Sequence, residues 1–217
     1  MEKFEVNILG CGSALMTERH VPTCQVLNIR ENLFMIDCGE GAQLQMRRMG
    51  LKPTRLKHIF ISHMHGDHYL GLPGLLSTMS LMGCEGTVTI HVLEEGARFL
   101  KELMDYVCPY RSYDLQFNII TGNEGVIYED DAITVTSLPL YHQRVPAVGF
   151  IFAEKPKPRH IDGAKVKQLN VPYIAMKDIR NGLDYIAPDG TVIPNEQLTP
   201  TSTKKIIFKK IQAVFLL

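Results

Sequence analysis

The chain has 217 residues, 45% of them apolar and 21% charged, and a formal net charge of zero. Such a balance is that of an ordinary globular protein with room for one sizeable core or two compact halves. It does not mark the chain as a whole as a binder of polyanions, and no apolar run approaches the length needed to span a membrane. The five cysteines, Cys11, Cys24, Cys38, Cys84 and Cys108, are odd in number and scattered. They read as reduced thiols, mostly core fillers, and not as a disulfide frame.

The N-terminus enters a strand pattern at once, Phe4–Leu9, with no signal-peptide apolar region, so a cytoplasmic protein is expected. Gly10 and Gly12 open a polar loop through Thr23. Gln25–Arg30 and Leu33–Ile36 read as a hairpin turning at Glu31-Asn32. D-C-G-E-G, Asp37–Gly41, suits a tight turn into a helix at Glu40–Met49, which Gly50 stops. Asp37 has two readings of equal weight: a cap for that helix, or a residue that orients a metal-bound histidine.

Ile59–Gly74, I-F-I-S-H-M-H-G-D-H-Y-L-G-L-P-G, is the most informative stretch. Ile59-Phe60-Ile61 reads as a buried strand. Residues two apart on an extended chain point the same way, so His63 and His65 project together. Gly66 permits a turn that swings Asp67 and His68 back towards them. Gly71 and Pro73 then start a helix, Leu72–Met82. Imidazole and carboxylate together suit zinc, with manganese and iron as alternatives.

Thr87–Val92 follows as a strand and Glu94–Val107 as a helix with acidic residues in its first turn. Leu115–Ile120, Val126–Glu129, Ile133–Leu138 and Val148–Phe152 read as strands. His142, just past a strand end, is placed to reach the same metal. Beyond residue 153 the character changes, as prolines and basic residues replace the apolar runs. Glu154–Arg180 carries seven cations against three acids, +4, so the remainder carries −4. Such asymmetry marks a local polyanion contact. Asp162–Leu169 is expected as a helix capped by Asp162, and Pro188-Asp189-Gly190 as the turn of a hairpin between Tyr185-Ile186 and Thr191-Val192-Ile193. The tail from Lys204 is compatible with a core strand, a basic amphipathic helix or an abnormal end.

Several of these motifs together resemble ribonuclease Z, the tRNA 3′-processing endonucleases of the metallo-β-lactamase superfamily. They are G-C-G-S-A, D-C-G-E-G-A-Q, H-M-H-G-D-H followed by G-L-P-G-L-L, and His142 ahead of A-V-G-F. The resemblance runs from about Ile8 to about Thr199. It implies an α/β protein, a metallo-β-lactamase-type αββα sandwich whose C-terminal part is incomplete here. It implies a core over 1–152, a basic tRNA-binding arm over 153–199 and a divergent tail over 200–217.

The resemblance further implies two zinc ions per subunit. His63, His65 and His142 would hold one, Asp67 and His68 the second, with Asp67 also the catalytic proton acceptor. Lys155, Lys157, Arg159, Lys165 and Lys167 would bind precursor tRNA, and the arm of one subunit would serve its partner in a homodimer. Residues after Thr199 include no aspartate, glutamate or histidine, so the second zinc is expected to lack ligands and the chain to be a truncated or frame-altered member. The alternatives are another hydrolase of the same fold, or a non-catalytic tRNA-binding remnant.

Overall fold

The computed structural model describes residues 4–142, 145–155, 159–199 and the strand 212–215. The chain divides into two units, Met1–Ala153 with Gln212–Leu217, and Glu154–Ile211.

The first unit is built on a six-stranded sheet in the order β1 (Phe4–Gly10), β2 (Cys24–Ile29), β3 (Asn32–Ile36), β4 (Leu56–Phe60), β5 (Thr87–Leu93), β6 (Asp114–Ile120). The first three strands are antiparallel neighbours, and β3 to β6 run parallel. Parallel neighbours need crossovers, which α1 (Ala42–Arg48), α3 (Leu72–Leu81) and α4 (Glu94–Val107) supply. Between β4 and α3 lies a single-turn helix, α2 (Gly66–Tyr69). A second sheet has the order β12-β9-β8-β7, from β7 (Gly125–Glu129), β8 (Ile133–His142), β9 (Val145–Glu154) and β12 (Gln212–Phe215).

Period-two alternation sends side chains of the large sheet into two cores. Val26, Met35, Ile59, Ile61, Val88 and Ile90 face Met46, Leu72, Leu76, Leu100 and Met104 of the helices. Leu27, Phe34, Ile36, Phe60 and Ile120 face Ile133, Val135, Val148, Phe150 and Phe152 of the second sheet. The layers are therefore helix, sheet, sheet. Both faces of the central strands are covered, which is why they read as continuous apolar runs.

Some boundaries differ from the sequence reading. The β2–β3 hairpin turns at Arg30-Glu31, with φ of 50° and 69°, one residue earlier than expected. Pairing of Leu27 with Phe34 and Ile29 with Asn32 sets that register, and a two-residue turn then requires both φ values to be positive. Helix α1 starts at Ala42, because Gly41 holds φ 86° at its N-cap and makes no side-chain cap. Strand β8 continues to His142, four residues beyond the expected end. Within the tail, Gln212–Phe215 forms a strand antiparallel to β9, and residues 200–211, 216 and 217 lie outside the described residues.

The second unit has a small core of its own, Val166, Val171, Ile179 and Leu198. Its elements are α5 (Gly163–Gln168), α6 (Met176–Arg180), the hairpin β10 (Tyr185–Ile186) with β11 (Val192–Ile193), and α7 (Asn195–Leu198). Asp162 caps α5 by accepting from the N–H groups of Ala164 and Lys165. Asn195 ties the unit together: its Nδ2 donates to the carbonyls of Ile179 and Leu183 at 2.7 and 2.8 Å, and its Oδ1 accepts from Arg159 at 2.7 Å. Among the described residues, no helix is long and apolar enough to cross a membrane.

Candidate metal centre

The centre is assembled at the C-terminal end of β4. The chain leaves the strand at Phe60, runs without regular secondary structure to His65, and turns into α2. Backbone bonds fix this segment from both sides: Ile61 N–H donates to the His91 carbonyl at 2.9 Å, and the Ser62 carbonyl accepts from Val148 N–H at 3.0 Å. The loop after β3 runs directly against it. Cys38 N–H donates to the His68 carbonyl at 2.7 Å, and Gly71 N–H donates to the Cys38 carbonyl at 2.9 Å.

That approach explains two glycines. A Cβ at Gly71 would overlap the Gly39 carbonyl oxygen, and one at Gly39 would lie 2.5 Å from the Asp67 carbonyl oxygen. Within D-C-G-E-G, Gly41 serves the expected turn with φ 86°, whereas Gly39, with Gly71, lets two loop backbones touch, which no local pattern reveals.

His63, His65 and His142 converge. Their ligand nitrogens lie within 4.8 Å of one another, with His63 Nε2 to His65 Nδ1 at 3.0 Å and His142 Nε2 to His65 Nδ1 at 3.2 Å. Separations of 3.0 and 3.2 Å are close to the edges of a tetrahedron with zinc–nitrogen bonds of about 2.0–2.1 Å, so the donor set fits a metal. His63 is buried. Its burial, and then the imidazoles of His68, His142 and His65, push its pKa down to about 3, against a smaller upward pull from Asp67. Neutral imidazole is the form that ligates. The structure brings His142 to this point from 77 residues away in sequence.

Asp67 and His68 form a second, smaller set, with His68 Nε2 3.6 Å from an Asp67 carboxylate oxygen. Among the described residues they do not join a third donor in a cluster of the kind made by His63, His65 and His142.

Asp37 sits behind both sets, buried, with φ 53°. Its Oδ1 accepts from Ser62 N–H at 2.8 Å; its Oδ2 lies 2.9 Å from Ser62 Oγ and 2.7 Å from His68 Nδ1. It therefore orients His68, and the helix-capping alternative does not hold, since α1 has no side-chain cap. Ser62, which the sequence reading passed over, touches Asp37, His63 and His68 at once.

The basic candidates are in the second unit. Lys165 and Lys167 are exposed on α5, and Lys155 is partly buried. Arg159 is exposed, but its guanidinium donates to Asn195, which gives it a structural task. Lys157 lies outside the described residues.

Residues 4–155 match the family model described as Anti-Pycsar protein Apyc1. A Ribonuclease Z of Phocaeicola vulgatus is 50% identical over 200 residues, which is 92% of this chain and 64% of that protein. One from Porphyromonas gingivalis is 45% identical over 204 residues, 94% of this chain and 67% of that protein. The chain belongs to the ribonuclease Z family. It spans about two thirds of the length of these relatives. Residues 4–155 fall equally within the Apyc1 family, so the two families share the unit that carries the imidazole cluster.

Among solved structures, the short form of human tRNase Z superposes with a TM-score of 0.59 at 28% identity, covering 71% of this chain and 64% of that one. The metallo-β-lactamase fold protein YhfI from Bacillus subtilis, at 15% identity and a TM-score of 0.54, covers 75% of this chain and 66% of that one, and shares the fold. The fold is thus the α/β metallo-β-lactamase fold, and the imidazole cluster is suited to a metal.

Proposed function

We propose that the chain carries the metal-binding and tRNA-binding parts of a zinc-dependent endonuclease that removes the 3′ trailer from precursor tRNA, leaving a tRNA 3′-hydroxyl. The observation that carries this reading is the reach of the ribonuclease Z match. At 200 of 217 residues it leaves only 17 outside, so it must run well into the 58-residue second unit, of which the Apyc1 model covers only the first two residues.

In this reading His63, His65 and His142 hold one divalent ion, and Asp67 with His68 contribute to a second. Bound there, such ions supply Lewis acidity towards a phosphoryl oxygen and lower the pKa of a water. Asp67 orients the attacking water and takes its proton, while the phosphodiester bond 3′ of the mature tRNA breaks. Asp37 holds His68 in place. Lys155, Lys157, Lys165 and Lys167 contact tRNA phosphates, reading shape more than sequence. An open groove of about 840 Å³ lined by Tyr173, Ile174, Lys177 and Arg180 adds aromatic and cationic surface to the same unit. Arg159 contributes through Asn195, by shaping that unit. The protein works in the cytoplasm as a homodimer in which one arm serves the partner's centre. Among the described residues two donors gather at the second position, so one ion per chain is held firmly and the second weakly.

The test is incubation of the purified chain and its Asp67→Ala variant with precursor tRNA and added zinc or manganese, with metal content measured per chain. Trailer release by the parent and none by the variant is expected. Cleavage surviving in the variant removes Asp67 from its role. Retention of tRNA without turnover by either supports a non-catalytic tRNA-binding remnant instead. The Apyc1 family match favours a second reading, a hydrolase of the same fold with another substrate. Turnover of a small phosphodiester, thioester or sulfate ester with precursor tRNA untouched decides for it.

A further inference from the structure

Ser62 is buried at 2% exposure between two loops, yet it is surrounded by polar atoms. Its Oγ lies 2.9 Å from Asp37 Oδ2, 3.1 Å from His63 Nδ1 and 3.2 Å from His68 Nδ1. A hydroxyl has one proton to give. The carboxylate oxygen only accepts, so the Ser62 proton goes to Asp37. The Ser62 oxygen is then an acceptor towards His63. His68 has the shorter partner in Asp37 Oδ2, at 2.7 Å, and gives its Nδ1 proton there.

We propose that Ser62 is a positioning residue that locks His63 in the Nδ1–H tautomer and, by sharing Asp37 with His68, couples the orientation of the two ligand sets. The consequence is specific. With its proton on Nδ1, His63 presents a bare Nε2, and it is Nε2 that lies 3.0 Å from His65 Nδ1 inside the three-imidazole cluster. His68 likewise presents Nε2 towards Asp67. Without the hydroxyl, His63 Nδ1 loses the one hydrogen-bond partner it has among the described residues, and the ring gains by moving its proton to Nε2, the face a metal needs free. A buried serine that merely satisfies its own hydroxyl needs one partner. This oxygen gives its proton to Asp37, accepts from His63 and lies 3.2 Å from His68 Nδ1, between the two ligand sets.

The proposal rests on the metal-dependent reading for its consequence, but not for its first readout. In metal-free protein with 15N-labelled histidine, long-range 15N–1H correlation reports each tautomer directly. His63 is expected as Nδ1–H in the parent and in Ser62→Thr, and as Nε2–H or a mixture in Ser62→Ala. Affinity for zinc, measured by chelator competition, is expected to fall on the order of 10-fold in Ser62→Ala and to recover in Ser62→Thr. An Nε2–H tautomer in the parent overturns the proposal even if Ser62→Ala does not fold. So does a folded Ser62→Ala with the parent's tautomer and affinity. Should the parent take up no metal at all, the metal reading fails while the tautomer result still judges Ser62.

Discussion

The buried imidazole pair His58–His91 makes stability depend on pH in a way that can be isolated. His91 is 2% exposed, stacked on Phe60 at 4.2 Å and 9°. Its Nδ1 accepts from Asn118 Nδ2 at 2.9 Å, and Asn118 also donates to the Ile127 carbonyl. Its Nε2 must then carry the proton and donate to His58 Nδ1 at 3.1 Å. A second proton on His91 has nowhere to bond. Burial, and then His58, lower its pKa from 6.5 to about 3. His58 is also lowered by burial, with Asp130 opposing. The unfolded chain therefore binds a proton that the folded one refuses, and stability falls as pH drops below 6.5 until about 3. Between about pH 7 and pH 5, His91 alone removes about 2 kcal/mol. The perturbation is His91→Gln, whose amide can donate to His58 and accept from Asn118 but does not titrate. Urea unfolding should show a parent more acid-sensitive than the variant by about 2 kcal/mol over that interval, whatever the variant's offset at pH 7. Because the other histidines stay in both proteins, superimposable pH slopes would refute the reasoning.

Gly71→Ala should disturb the metal corner without touching a ligand. Its Cβ overlaps the Gly39 carbonyl, so a cost of about 1–3 kcal/mol and weakened metal uptake are expected, and unchanged uptake counts against the close-approach account. Asn195→Ala removes the side-chain bonds to Ile179, Leu183 and Arg159. At about 0.5–1.5 kcal/mol each or more, their loss should raise hydrogen exchange across the second unit while the six-stranded sheet stays protected. Lys165→Ala with Lys167→Ala should raise KM for precursor tRNA and flatten its salt dependence by about one unit per lost phosphate contact, sparing a small phosphodiester. Arg159→Ala should instead lower the melting temperature of the second unit, because its guanidinium is committed to Asn195.

Much of this molecule is written locally. The 94–107 helix, the Asp162 cap and the two-residue-spaced His63 and His65 follow from periodicity and turn chemistry acting over a few residues. The change from an apolar core to a basic segment near residue 153 is equally visible in composition, and the chain divides between 153 and 154. What tertiary structure alone decided lies across longer separations. Asp37 has two equal readings in the sequence, and the loop after β3, which lies against His68, decides between them. Ser62 looks like any serine until three polar partners, one from 25 residues upstream, surround it. Gly39 and Gly71 matter because their backbones meet, and His58 with His91 because adjacent parallel strands put them on one face, with His91 opposite Phe60 and diagonal to His58. A local pattern records which face of an element is apolar. Which polar atoms from distant elements share one buried pocket is settled only when the sheets and helices pack.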